Sequence, residues 1–191
     1  MKGSVIVLIV VVLAVLIFGG QLMGGRNTLV TERNDIDAKW AQVDTDIKRR
    51  ADLIPNLVET VKGYAKQEQA VIGEVANARA ALLRASGTQD RQGEINANAQ
   101  LTGAIGRLLV LQENYPQLKS NENFLRLQDE LAGTENRIAV SRRDYNESIR
   151  RYNTDLELFP RNIAASIFGF KKDDNYIKTT EEEKKVPQVK F

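Results

Sequence analysis

The first 25 residues constrain this chain more than any other part of it. Residues 5–18 contain no polar side chain, and the apolar stretch around them covers residues 3–23 with almost no charge. A hydrocarbon core about 30 Å thick is crossed by about 20 helical residues. The stretch therefore predicts one transmembrane helix, and its glycine pairs predict a hinge that closes an anchor of residues 1–25.

A cleaved signal peptide is the competing interpretation, because Met1 and Lys2 could form a short charged segment before the apolar run. The run is longer than the roughly 7 to 15 residues of a usual signal-peptide core, and no A-x-A cleavage site follows it. The transmembrane helix is therefore favoured. A lipoprotein anchor is excluded because the sequence has no cysteine to acylate.

Basic residues on the two sides of the apolar stretch bear on its orientation. Lys2 precedes the stretch, whereas Arg26, Arg33 and Lys39 follow it. The positive-inside rule then favours a single-pass membrane protein with a cytoplasmic carboxyl-terminal domain. The difference amounts to a few charges, so a periplasmic location of that domain stays open.

The composition of the remaining chain excludes several classes of function. Its length suits one domain with its own core. The 27 basic and 25 acidic residues are scattered, which is not the charge pattern of a nucleic-acid-binding protein. The absence of cysteine and histidine removes thiol nucleophiles, histidine acid–base relays and nearly all structural zinc sites. We therefore expect no enzyme, no cofactor, no metal site and no nucleic-acid partner.

Apolar residues recur at a seven-residue spacing from Ile36 onward, and this pattern predicts a long helix over residues 27–85. Pro55 lies inside this helix. The seven-residue phase continues across the proline, which favours a kinked but continuous helix. In the alternative, the helix breaks there with Asp52 as an N-cap, and its first part folds back as a fourth helix.

Two further helices are predicted, over residues 91–115 and 121–158. Turn residues at 86–90 separate the first of them from the preceding helix, and Pro116 separates the two. The last helix carries large side chains at intervals of seven, which we predict to be core positions: Phe124, Leu131, Ile138, Tyr145, Tyr152 and Phe159. The fold class is therefore all-α, with an antiparallel long-helix bundle of three or four helices over residues 26–170.

The predicted helix lengths do not match, and this mismatch suggests self-assembly. If the first helix is continuous, its membrane-proximal positions Ile36, Trp40, Val43 and Ile47 have no partner within the chain. An exposed apolar stripe of that length is normally buried by another subunit, so a homo-oligomer is expected. Two positions on the same stripe, Arg50 and Glu68, are charged; they either reach the rim of the bundle or meet opposite charges on a neighbouring subunit.

The end of the chain is less regular. Residues 163–170 are apolar, and we favour a cap on the bundle over contact with the lipid interface. Residues 171–191 are charged and predicted to be a largely flexible tail, whose apolar end at 186–191 could dock as a peptide.

Several motifs together resemble the bacterial LemA family. The most specific is KRRADLIPNLVETVKGYA at residues 48–65, and ENYPQLK at 113–119, TENRIA at 134–139 and PQVKF at 187–191 follow in the expected order. The sequence departs from the family pattern at residues 67–68, which read Gln-Glu where relatives often have His-Glu.

The resemblance implies a protein of the bacterial inner membrane with a single amino-terminal span, a short amino terminus outside the cytoplasm and a long-helix bundle. The family has no established enzymatic activity, and its relatives are associated with cell-envelope and membrane organisation, including one relative in magnetosome membrane formation. The leading hypothesis is a non-enzymatic, self-assembling scaffold with membrane lipid as partner; the alternative is a tethered adaptor that binds another protein. Polar residues around Pro55 are the candidates for fixing the kink or a subunit contact: Arg49, Arg50, Asp52, Asn56 and Glu59.

Overall fold

The structure is a computed structural model that describes residues 2–88 and 90–178. It confirms the all-α class, since the described residues form helices and no strand. The helices are α1 (Lys2–Tyr64), α2 (Gln69–Ala85), α3 (Arg91–Val110), α4 (Pro116–Lys119), α5 (Glu122–Glu157) and α6 (Arg161–Phe168), with a 3-10 turn at Leu111–Glu113. The described chain divides into two compact units, which α1 and α5 both enter.

The amino-terminal part of α1 is apolar and unpacked. Residues 3–18 are exposed around the whole helix, including every valine, leucine and isoleucine between residues 5 and 17. By length and composition, α1 is able to cross a membrane. The glycines at 19–20 and 24–25 are helical, and the predicted domain boundary at residue 25 stays a prediction.

The expected single helix over residues 27–85 is wrong, because α1 ends at Tyr64 and α2 begins at Gln69. The connection is a turn in which the Glu68 N–H donates to the Ala65 carbonyl at 3.1 Å. Apolar residues keep the seven-residue spacing across this turn because α2 buries an apolar stripe of its own, which includes Ile72, Val75 and Leu82. The alternative break at Pro55 is also wrong, since the proline lies inside α1.

The second unit comprises, among the described residues, Trp40–Arg143 with Ile177 and Lys178. Its contacts show the helix directions. The Arg79 side chain of α2 reaches the Ala51 carbonyl of α1, so α2 runs back along α1. On α5, Asn121 contacts Tyr64 whereas Glu135 contacts Arg50, so α5 is also antiparallel to α1.

The first unit comprises Met1–Lys39 with Asp144–Tyr176. Here the chain after α6 returns along α5. The hydroxyls of two buried tyrosines donate to its backbone, Tyr152 to the Lys171 carbonyl and Tyr145 to the Asn175 carbonyl, both at 3.0 Å. The Asn153 amide donates to the Asp173 carbonyl at 2.8 Å. Residues 171–175 are thus held on α5, while the apolar end at 186–191 lies outside the described residues.

The membrane-proximal stripe has partners within the chain. Ile36, Val43 and Ile47 are all fully buried, so the expectation that they lack an intrachain partner is wrong. The reason is that α1 ends early, which lets later helices cover it. Five of the six positions in the α5 stripe are buried; Phe159 is instead 78% exposed, because α5 ends at Glu157 and the stripe ends with it.

Candidate functional site

A buried guanidinium is the most unusual group in the second unit. Arg50 is 3% exposed, and its Nη1 donates to the Thr102 hydroxyl at 2.8 Å and to the Glu135 carboxylate. Burial lowers the pKa of Arg50, and the charge of Glu135 opposes this effect. Arg50 is buried rather than at the rim of the bundle, and the opposite charge that it meets here, Glu135, belongs to the same chain. The charge instead joins α1, α3 and α5 within one chain.

The second charged stripe position, Glu68, lies in the connection after α1 rather than on a helix. Its Oε1 accepts a hydrogen bond from the Tyr115 hydroxyl at 3.1 Å. The carboxylate therefore joins the α1–α2 connection to the residue before α4, within the second unit. This contact raises the pKa of Tyr115.

A side chain from α2 explains how Pro55 fits inside α1. A proline has no N–H, so the carbonyl four residues earlier, that of Ala51, loses its helical donor. The Arg79 Nε donates to this carbonyl at 2.8 Å. The proline thus creates a free acceptor in the helix, and Arg79 uses it to bind α2 to α1.

Two carboxylates, those of Asp44 and Glu94, lie together elsewhere in the second unit. Glu94 of α3 is 2% exposed and accepts from the Ser86 hydroxyl at 3.0 Å. Burial raises its pKa to about 7, and the nearby Asp44 adds to the rise while Ser86 and Lys48 oppose it. When Asp44 and Glu94 are both ionised, the buried Asp44 Oδ1 accepts no hydrogen bond. A proton on the Glu94 carboxyl group would allow it to donate one to this oxygen.

The first unit contains a similar pair. Burial raises the pKa of Glu32 to about 7, and the adjacent Asp155 raises it further, while Arg161 and Arg151 oppose the rise. Asp155 forms an ion pair with Arg161. Sequence patterns did not indicate either pair, because Glu32 and Asp155 are far apart in the chain, as are Asp44 and Glu94.

The buried Glu94 is poorly placed for catalysis. A carboxylic acid with a pKa near 7 suits acid–base chemistry, but Glu94 is closed to solvent and so to a substrate. Among the described residues, no three histidine, cysteine, aspartate or glutamate side chains form a group that could hold a metal ion.

The residues of α1 that were predicted to take part in assembly separate into two sets. The buried set consists of Ile36, Val43, Ile47 and Arg50. Trp40 is half-buried, with the Arg91 guanidinium 5.3 Å from the centre of its ring. The exposed set lies on one part of α1 and consists of Arg49, Asp52, Pro55, Asn56 and Glu59. Glu59 pairs with Lys62 one turn away at 2.9 Å. The predicted role of these residues in assembly stays a prediction.

A shallow groove of about 490 Å³ runs between α2 and α3. Small side chains form much of its floor, among them Ala78, Ala81 and Ala99. An ion pair between Glu74 and Arg107 lies beside it. The groove is open along one side of the second unit.

The described residues are all-helical, their first helix is apolar enough to cross a membrane, and polar side chains join the helices of the core. These features are those of a membrane-associated helical protein. The model of the LemA family matches residues 39–191, and this chain belongs to the LemA family.

Relatives in three bacteria extend this similarity. The chain is 30% identical to the magnetosome proteins MamQ 1 and MamQ 2 of Paramagnetospirillum magneticum, over 92% of this chain and 73% of each relative. It is 28% identical to the magnetosome protein MamQ of Magnetospirillum gryphiswaldense, over 90% of this chain and 72% of the relative. It is 23% identical to the protein LemA of Metamycoplasma hominis, over 81% and 69%.

Proposed function

We propose that this chain is a non-catalytic scaffold that is anchored in a bacterial membrane by residues 3–23 and organises that membrane by self-assembly. The observation that carries the proposal is α1, which is exposed and wholly apolar over residues 5–18 yet continues as a helix to Tyr64 in the packed second unit. Water cannot solvate that apolar surface favourably, whereas hydrocarbon can.

Two observations accord with a structural role. Three of the relatives are named magnetosome proteins. In addition, the polar groups of the described core are used to join helices: Arg50 binds Glu135, and Arg79 binds the Ala51 carbonyl. A core built in this way suits a rigid spacer.

The surface that we assign to self-assembly is the exposed face of α1 around Pro55. Because Arg79 already satisfies the helix at the proline, the exposed residues Arg49, Asp52 and Asn56 are not needed to hold it. A polar face that the fold does not use is available to another copy of the chain.

The test is the mass of the full-length protein extracted with its lipids, measured by light scattering and electron microscopy. A closed, symmetric particle is expected, and the double change Arg49→Glu with Asp52→Arg should dissociate it. The matched control is Arg126→Glu with Asp129→Arg on the exposed side of α5. A monomer, or equal loss in both variants, would contradict self-assembly through this face.

The groove between α2 and α3 supports a second candidate, a tethered adaptor that binds another protein. Its small side chains would admit a peptide or a helix, and Glu74 and Arg107 offer charges at its edge. A photo-crosslinking residue at Gln100, in the groove, distinguishes the two functions. Capture of one defined protein by a monomeric chain would favour the adaptor.

A further inference from the structure

Large apolar side chains are exposed where α5 ends and along α6. Leu158 is 53% exposed, Phe159 78%, Ile167 60% and Phe168 38%. Single exposed apolar residues are ordinary, but four within eleven consecutive positions concentrate exposed apolar surface in one short segment, as interaction surfaces do. We call these four residues the α6 patch.

The face of α6 that carries Arg161, Ala164 and Phe168 packs against α1 just beyond the apolar stretch. A Cβ built on Gly25 would lie only 3.2 Å from the Ala164 Cβ and 3.8 Å from the Arg161 Cα, so the glycine permits this close approach. The Arg26 guanidinium lies 5.7 Å from the centre of the Phe168 ring. Two contacts, at Gly25 and Arg26, thus set the level of α6 along α1.

That level coincides with the edge of a bilayer. The centre of the apolar stretch is near Leu13, and Gly25 is twelve residues further along the helix, which corresponds to a rise of about 18 Å. Half of a hydrocarbon core is about 15 Å. If residues 3–23 cross the membrane, α6 lies at the boundary between acyl chains and headgroups.

The end of α6 keeps the patch at that level. Gly169 follows the helix with a φ of +72°, a conformation that suits glycine and ends the helix directly after Phe168. The chain then turns back along α5, where the Tyr152 hydroxyl holds the Lys171 carbonyl. The patch is therefore confined to a short segment beside the span.

We propose that the α6 patch is a second membrane contact, which inserts into the interface of the same bilayer that holds the anchor. Ala164 and Ala165 are buried and Phe168 is partly covered by Arg26, whereas Leu158, Phe159 and Ile167 stay more than half exposed and are available to lipid. This proposal rests on the proposed membrane anchor. It adds a surface that holds the first unit against the lipid, in the manner of an interfacial helix.

Two of the cations near the patch are already paired, and Arg26 lies over the Phe168 ring, so we expect apolar insertion to provide most of the binding energy. Arg161 is paired with Asp155, and Lys172 is paired with Glu157. The patch should therefore insert equally into vesicles of phosphatidylcholine alone and into vesicles that also contain phosphatidylglycerol.

The absence of cysteine allows a direct test by single-cysteine spin labelling of the full-length chain in such vesicles. Ile167→Cys and Leu158→Cys report on the patch, Val12→Cys reports on the anchor, and Val110→Cys is a matched exposed position on α3. The measurement compares collision of each label with oxygen, which dissolves in lipid, and with a water-soluble nickel complex. We expect the patch labels to lie about 5–10 Å into the interface, with Val110→Cys in water.

The outcomes separate the two proposals. Lipid exposure at Val12→Cys together with water exposure at the patch would overturn the α6 proposal and leave the anchor intact. Water exposure at Val12→Cys would overturn both. Patch labels shielded from both reagents would mean that a second copy of the chain covers α6, which also overturns a lipid contact. Lipid exposure of the patch labels in both vesicle compositions is the result that supports the proposal.

Discussion

One helix, α1, contains two regions with opposite surroundings. Residues 5–18 are exposed on every side, whereas residues 43–61 bury a stripe that includes Val43, Ile47, Leu57 and Val61. Both regions are helical and rich in apolar residues. The first lacks polar side chains, and the second alternates them with its stripe. The comparison shows that the distribution of polar residues around a helix, rather than helix formation itself, decides what the helix contacts.

The largest contrast between the regions should come from the same truncation in each. Ile47→Ala removes a fully buried side chain and should lower the free energy of unfolding by about 2–5 kcal/mol. Leu13→Ala, on an exposed position, should change it by less than about 0.5 kcal/mol. Denaturant unfolding in a mild detergent, followed by helical circular dichroism, measures both. Similar losses in the two variants would show that residues 5–18 also pack on the protein.

The buried charge of the second region should respond asymmetrically to removal of either partner. Glu135→Ala leaves the Arg50 charge buried without its counter-ion, and we expect a loss of about 3 kcal/mol. Arg50→Met should cost less, about 1 kcal/mol, because the Glu135 side chain is 37% exposed and can regain water. The control is Glu59→Ala, which breaks an exposed pair with Lys62. Equal losses at Arg50 and Glu135 would contradict the asymmetry.

The carboxylate pair beside the second region should make stability depend on pH. The folded chain holds a proton on Glu94 up to about pH 7, whereas an ordinary glutamate releases it near 4.5. The folded state therefore binds more protons between these values, so stability is greatest at low pH and falls as pH rises through that window.

Glu94→Gln should remove the part of this dependence that Glu94 contributes, while Glu32, whose pKa is also raised to about 7, keeps its own part. The amide keeps the acceptor for Ser86 and supplies the donor to Asp44 that the protonated acid supplies. The variant should match the wild type near pH 5 and exceed it by about 2 kcal/mol at pH 8. Glu59→Gln, at an exposed position, is the control. Thermal unfolding across this pH range would contradict the assignment if both curves keep the same slope.

The smallest expected effect on stability concerns the hydrogen bond from Arg79 that accommodates Pro55 in the second region of α1. Arg79→Ala should cost about 1 kcal/mol, because the Ala51 carbonyl then loses the donor that replaces the missing proline N–H. In a Pro55→Ala background the backbone N–H returns to that carbonyl, so the same Arg79→Ala change should cost almost nothing. A double-mutant cycle by denaturant unfolding measures this coupling, and additive losses would contradict it.

The sequence predicted the two regions of α1 better than it predicted their ends. The apolar stretch, the stripe from Ile36 and the bounds of α5 follow from periodicity, which is a local property. The turn after Tyr64 was missed because the seven-residue phase continues into α2 by coincidence. Phe159 was placed on the α5 stripe because the spacing alone does not show that the helix ends at Glu157.

The candidate site was predicted only in part, for the same reason. Arg50 stood out as a charge on an apolar stripe, but its partner Glu135 is 85 positions away. Arg79 had no signal at all, because its role depends on a carbonyl that Pro55 frees in another helix. The two carboxylate pairs likewise unite residues from separate helices, and no sequence window contains both members.

The sequence by itself determined that this chain is all-helical, that its first residues suit a membrane and that it belongs among LemA proteins, because hydropathy, helical period and motif are read from neighbouring residues. Only the tertiary structure decided where α1 ends, which acid meets Arg50 and that the α6 patch lies beside Gly25. The physical reason is that these features depend on contacts between distant segments, whose free energy is gained only when the chain has folded.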